Sequence, residues 1–262
     1  MQYTTIMLEV RDNVAHITLN RPDAANSMNK EMARELMDAT IELSRSSNVR
    51  AVLVSGAGRM FCSGGDIKEF GGKGKELPRH LQEMTTYLHA AISRLVHLEI
   101  PVIAAVHGSA AGAGLPLACS ADIVLAAESA RFTLAYTRIG LAPDGGSTFF
   151  LPRLIGLKRS LELALLNRVL SAQEAMDWGI VTRIVPDTDL FNEAQKLASE
   201  LAAGPTGAFA AAKRLMYAGW TATLETQMEQ ESQAITGISA TADAAEGISA
   251  FLAKRPAVFK GP

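Results

Sequence analysis

Phe61-Cys62-Ser63-Gly64-Gly65-Asp66-Ile67 and His107-Gly108-Ser109-Ala110-Ala111-Gly112-Ala113-Gly114-Leu115-Pro116 share one design. Each follows an apolar run, Val49–Ser55 or Pro101–Val106, that predicts a buried strand, and each leads into a predicted helix. Small residues let a ligand approach the backbone closely. The N–H groups at a helix start lack intrahelical partners and carry partial positive charge. Pro116 suits a first helical turn, where its missing N–H costs nothing. Two such N–H groups converging on one oxygen form an oxyanion hole, the main electrostatic device of acyl-group chemistry. The same glycines also serve plain strand-to-helix packing, and spacing leaves both readings open.

Outward from these loops, Ile6–Val10 and Val14–Asn20 predict a hairpin turning at Asp12-Asn13. Asn26–Ser46 and His80–Leu98 repeat apolar residues at helical spacing, with a surface loop expected over 71–79. Asp122–Ala127 and Arg131–Ala135 are further strand candidates. Alternating strands and helices predict an α/β fold with crossover connections. From about Leu190 the pattern is helical only, which divides the chain into a core, 1–190, and a helical section, 191–262. The apolar stripe of that section, from Phe209 through Met216 and Trp220 to Ile235, exceeds what a small section can bury alone.

Composition narrows the function. A chain of 262 residues, 48% hydrophobic with net charge −2, is too apolar and too weakly charged for disorder or for charge-driven nucleic-acid binding. No stretch reaches the roughly 18 apolar residues of a membrane span, and the N-terminus has no signal-peptide pattern. Cys62 and Cys119 stand outside any metal-ligand spacing, so a cytoplasmic protein without a metal is expected. Zinc, nucleophile-elbow and phosphate-loop motifs are absent. Gly112-x-Gly114 lacks the third glycine of a dinucleotide fingerprint, so no nicotinamide cofactor is expected.

The two loops, together with Ile139-Gly140-Leu141-Ala142-Pro143-Asp144-Gly145-Gly146-Ser147, Asn20-Arg21-Pro22-Asp23-Ala24-Ala25-Asn26-Ser27 and Phe251-Leu252-Ala253-Lys254-Arg255-Pro256, resemble the crotonase, or enoyl-CoA hydratase/isomerase, superfamily. The resemblance spans almost the whole chain in order. It implies a spiral of ββα turns with a helical C-terminal trimerisation section, in a homotrimer or a dimer of trimers. It implies an acyl-CoA thioester as substrate, with no separate cofactor and neither nucleic acid nor membrane as partner. The backbone N–H groups of Gly65 and Ala113 would hold the thioester oxygen. Ala24, Ser63, Asp66 and Ile67 would line the CoA path, and Lys254 would meet the CoA phosphates. Read without the resemblance, Lys254 is an ordinary surface lysine.

Hydratases of this superfamily carry two glutamates, at the positions held here by Pro116 and Tyr136. Adding water needs groups to activate it and to supply a proton, and neither residue does so at neutral pH. Asp144 offers a replacement carboxylate, although an aspartate before Gly145-Gly146 also fits a helix cap. Its Pro-Asp-x-Gly setting resembles the ring-epoxide isomerases of phenylacetyl-CoA degradation. The expected reaction is therefore acyl-CoA isomerisation, shifting a double bond or rearranging a ring epoxide, with Asp144 as the one acid/base and Tyr136 facing the substrate. A rival reading takes Asp144 as nucleophile and His89 as a second catalytic residue, because the spacing of His89 to Pro101 resembles 4-chlorobenzoyl-CoA dehalogenases. A third is a non-catalytic acyl-CoA-binding relative.

Overall fold

The computed structural model describes residues 3–261. Strands β1 (Ile6–Arg11) and β2 (Val14–Leu19) form the expected hairpin, turning at Asp12 and Asn13 with φ of 48° and 63°. Short polar side chains tolerate that left-handed geometry. Helix α1 (Lys30–Leu43) begins four residues later than periodicity suggests. Ala25 and Asn26 adopt left-handed φ of 52° and 51°, and Asn29 caps the helix by accepting from the Met32 N–H. From α1, the buried Glu35 carboxylate accepts the N–H groups of Thr4, Thr5 and Ile6 and both threonine hydroxyls, fixing the start of β1.

Next come β3 (Ala51–Gly56), α2 (Ile67–Gly71), α3 (Leu77–His97), β4 (Val102–Val106), β5 (Ser109–Ala111), α4 (Gly114–Cys119), β6 (Ile123–Ala127) and β7 (Arg131–Thr133). Residues 74–76 form a 3₁₀ turn where a loop was expected, and Pro78 in the first turn of α3 moves that helix start forward. The chain continues through α5 (Ser147–Leu166), β8 (Leu170–Ser171), α6 (Ala172–Trp178), β9 (Arg183–Val185) and α7 (Leu190–Ala202). Helix α5 bends at Gly156.

The main sheet has the order β1-β2-β3-β4-β6-β9, parallel beyond the first hairpin, and a second sheet has the order β5-β7-β8. Successive strands therefore alternate between sheets: β4 to β5, then β6 to β7. This is the ββα spiral. Strand β4 is buried along its whole length, as a parallel strand covered on both faces should be.

Helix α7 lays Leu190, Ala194, Ala198 and Ala202 against the main sheet, so it packs with the core, and three helices follow it. Those are α8 (Thr206–Ala218), α9 (Leu224–Ser239) and α10 (Ala242–Leu252). They bury little: Thr206 and Ala211 on α8, none on α9, Ala250 on α10. Leu224, Met228, Ile235, Ile248, Phe251 and Leu252 are all exposed. Polar tethers hold the section in place. Lys213 Nζ lies 2.8 Å from Asp122 Oδ2, and Arg50 donates to the Gly204 carbonyl at 2.8 Å.

Candidate active site

The two glycine loops touch. The Cys62 N–H donates to the Ser109 carbonyl at 3.0 Å, and the Ala111 N–H donates to the Cys62 carbonyl at 2.9 Å. A Cβ on Gly112 would lie 2.9 Å from Gly64 Cα, and both glycines have positive φ, +50° and +105°. Only residues without side chains allow that approach. From the other side, the Met28 N–H donates to the Gly64 carbonyl at 2.6 Å and the Ser63 N–H donates to the Ala25 carbonyl at 3.1 Å. The first loop is thus clamped between the 20–28 segment and the second loop.

This packing sets Gly65 and Ala113 on the wall of one cavity of about 350 Å³. Among the described residues, neither of their N–H groups donates a hydrogen bond. Ser63, Ile67, Tyr136 and Asp144 also line the cavity. Phe70 of α2, whose ring lies against Gly65, and Leu81 and Met84 of α3 give it an apolar stretch of wall. A larger cavity, about 690 Å³, lies under α8, but its buried charges, Lys213 and Asp122, already satisfy each other and nearby backbone groups. The smaller cavity is the one with unpaired donors and a carboxylate.

Asp144 is no helix cap. At the start of α5 the Ser147 N–H donates to the Asp144 backbone carbonyl at 3.0 Å, and Gly146 stands at the cap position. The carboxylate instead accepts the Tyr136 hydroxyl on Oδ1 at 2.5 Å. Its Oδ2 lies 3.8 Å from His89 Nε2, which accepts the Gly145 N–H at 3.1 Å. Burial, reinforced by the negative charge of Asp144, pushes the Tyr136 phenol well above its usual range, so it remains a protonated donor. Pro116 backs the same turn: a Cβ on Gly145 would lie 2.8 Å from Pro116 Cγ. Tyr136 and Pro116 thus both contact the Asp144 turn.

Other expected site residues stand elsewhere. Asp66 does not line the cavity. It caps α2 by accepting from the Glu69 N–H and pairs with Arg21 at 2.8 Å. Burial raises its carboxyl, but those bonds outweigh burial and hold it below the usual carboxylate range. Ala24 sits in a 3₁₀ turn beside the first loop, off the cavity wall. Lys254 is exposed beyond α10, with φ of 52°. His89 approaches Asp144 from α3 without lining the cavity. Phe70, Leu81, Met84, Thr85 and Arg138 also line it, and no sequence motif marks them as site residues. Leu81 and Met84 carry only the signal of an amphipathic helix, whereas Arg138 was findable as the cation nearest in sequence to the Asp144 loop.

Residues 9–262 match the sequence profile of the Enoyl-CoA hydratase/isomerase family. The chain is 42% identical over 261 residues, 100% of both chains, to a probable enoyl-CoA hydratase of Rhodobacter capsulatus. It is 41% identical over 262 residues, 98% of each chain, to the 1,2-epoxyphenylacetyl-CoA isomerase of Escherichia coli. It is 33% identical over 250 residues to a 4-chlorobenzoyl coenzyme A dehalogenase of an Arthrobacter, covering 95% of this chain and 91% of that one. Among solved structures, a putative enoyl-CoA hydratase from Streptomyces coelicolor matches with a TM-score of 0.95 at 35% identity, covering 100% of this chain and 96% of that one.

Proposed function

The chain belongs to the enoyl-CoA hydratase/isomerase, or crotonase, family, and we propose that it isomerises an acyl-CoA thioester with Asp144 as its one acid/base. The observation that carries this reading is the cavity's inventory: one carboxylate, Asp144, lining the same cavity as Gly65 and Ala113, whose N–H groups are unpaired among the described residues, with Tyr136 and Pro116 where a hydratase would keep glutamates. The N–H groups of Gly65 and Ala113 accommodate the thioester oxygen as it gains charge in the enolate. Asp144 removes a proton at one carbon and returns it at another, so nothing is added or lost. A double-bond shift or a ring-epoxide rearrangement both fit that balance. Relatives of near-equal identity are named a hydratase and an epoxide isomerase, so the choice rests on the missing second acid/base group.

Ser63 and Ile67 line the pantetheine path in this reading, Ala24 extends it beyond the cavity, and Asp66 holds the first loop in place through its pair with Arg21. Lys254 meets the CoA phosphates. The exposed apolar residues of α9 and α10 are covered by other copies of the chain, in a homotrimer or a dimer of trimers. No helix among the described residues is long and apolar enough to cross a membrane.

The 3.8 Å approach of His89 to Asp144 favours a second reading, hydrolytic dehalogenation with Asp144 as nucleophile. Against it, the Nε2 lone pair that would activate water already accepts the Gly145 N–H. A panel of enoyl-, epoxyphenylacetyl- and halobenzoyl-CoA thioesters tests both. The expected result is isomerisation without solvent oxygen in the product, lost about 100-fold or more in Asp144→Asn. Efficient hydration of a 2-enoyl-CoA, or wild-type turnover by Asp144→Asn, overturns the proposal.

A further inference from the structure

We propose that Tyr136 is a positioning residue for Asp144: its hydroxyl occupies Oδ1, so that Oδ2 alone exchanges the substrate proton. This rests on the isomerase reading above and assigns Tyr136 a role other than substrate contact.

The backbone prepares the arrangement. Strand β7 ends at Thr133, and Ala135 adopts a left-handed φ of 56°, unusual for a residue with a Cβ. That reversal delivers Tyr136 to the cavity wall, with its hydroxyl 2.5 Å from Asp144 Oδ1. The phenol has one proton to give, and Asp144 takes it. Tyr136 therefore has none left to donate to a substrate oxygen.

The consequence for Asp144 is orientational. A carboxylate held at neither oxygen rotates freely and presents either oxygen. A charge-assisted bond from the phenol fixes one oxygen and the plane of the group. Pro116 and His89 complete the restraint from the backbone side, the first against Gly145 and the second by accepting its N–H. The groups facing the carboxylate are Tyr136 from its own loop and His89 from α3, with Arg138 the other charged residue on the cavity wall. The loop presents the aspartate as a one-sided base.

Tyr136→Phe keeps the ring and removes only the donor. With the isomerisable thioester found in the substrate panel, kcat is expected to fall by roughly 10- to 100-fold while KM stays within about twofold. Replacing residue 136 alone with 3-fluorotyrosine, which keeps the donor at nearly the same size, is expected to keep kcat within about twofold of wild type. It supplies the test should the phenylalanine variant fold poorly. Asp144→Asn separates the two readings: if it retains activity, the isomerase assignment itself fails. If Asp144→Asn is inactive while Tyr136→Phe keeps the wild-type kcat, the positioning role is overturned. A loss confined to KM, or a folded fluorotyrosine protein whose kcat falls about 10-fold or more, overturns it equally.

Discussion

Pro116 packs directly against the backbone of Gly145, leaving no room for a Cβ there: the added atom would lie 2.8 Å from Pro116 Cγ and 3.4 Å from Ile92 Cδ1. With φ at +62°, Gly145 is bound to glycine twice over, by sterics and by conformation. Gly145→Ala should therefore lose about 1–2 kcal/mol of stability from the left-handed backbone alone. It should also lose activity, because the turn that carries Asp144 must shift. Thermal melts alongside kcat check both. Adding Pro116→Ala should return part of the activity but not the conformational cost.

Ala113→Pro is a clean deletion of one donor. The residue's φ of −60° already suits proline, and its N–H has no partner among the described residues. Glycine precedes it, which eases the restriction proline places on its neighbour. The variant should fold and show a kcat reduced by about 100- to 1,000-fold, the usual cost of losing one oxyanion donor. Circular dichroism and steady-state kinetics decide it. A folded protein with unchanged turnover would remove Ala113 from the mechanism.

His89→Ala removes the acceptor of the Gly145 N–H, but half of that side chain already faces solvent and water can take its place. Isomerisation should stay within about threefold of wild type. Loss of turnover with a halobenzoyl-CoA, with accumulation of a covalent aryl-enzyme, would instead favour the hydrolytic reading. Rapid-quench mass spectrometry distinguishes the two.

Glu35 predicts an acid sensitivity far from the site. Burial raises its carboxyl, but the hydroxyls and N–H groups of Thr4 and Thr5 outweigh burial and hold it below the usual range. A folded-state value below the unfolded one means the stabilisation is complete above the unfolded carboxyl range, about pH 4.3, and is lost as pH falls through the folded value. Glu35→Gln should be less stable than wild type near neutrality and should show a flatter decline into acid. Urea melts between pH 7 and pH 3 report the difference.

The parts of the molecule that could be read in advance are those where local chemistry leaves little choice. Val102–Val106 is apolar throughout because a parallel strand covered on both faces has no polar side. The loops around Gly64 and Gly112 announce themselves because close backbone contact excludes side chains. Strands β5, β8 and β9 escape because two or three residues show no period, and β5 is only Ser109-Ala110-Ala111. The core also keeps α7, whose alanine face says nothing in sequence about which layer it joins. At the site, Asp144 looked as much like a cap as a base, because its partner Tyr136 is brought to it by tertiary folding and by the reversal at Ala135. The apolar wall of Phe70, Leu81 and Met84 is equally a product of how α2 and α3 pack, and it reads in sequence as ordinary core.

The two unpaired donors on the cavity wall are main-chain atoms, and that hides them from the commonest way of mapping a site. An alanine scan leaves position 113 unchanged, since alanine is already there. At position 65 the scan would report something else, because the new methyl group would strike the Phe70 ring at 2.7 Å while the N–H stayed in place. Side-chain libraries would thus map Asp144 and its supports and pass over both donors. Replacing the amide at 65 or 113 with a backbone ester, which exchanges one N–H for an oxygen and leaves every side chain alone, reaches them directly.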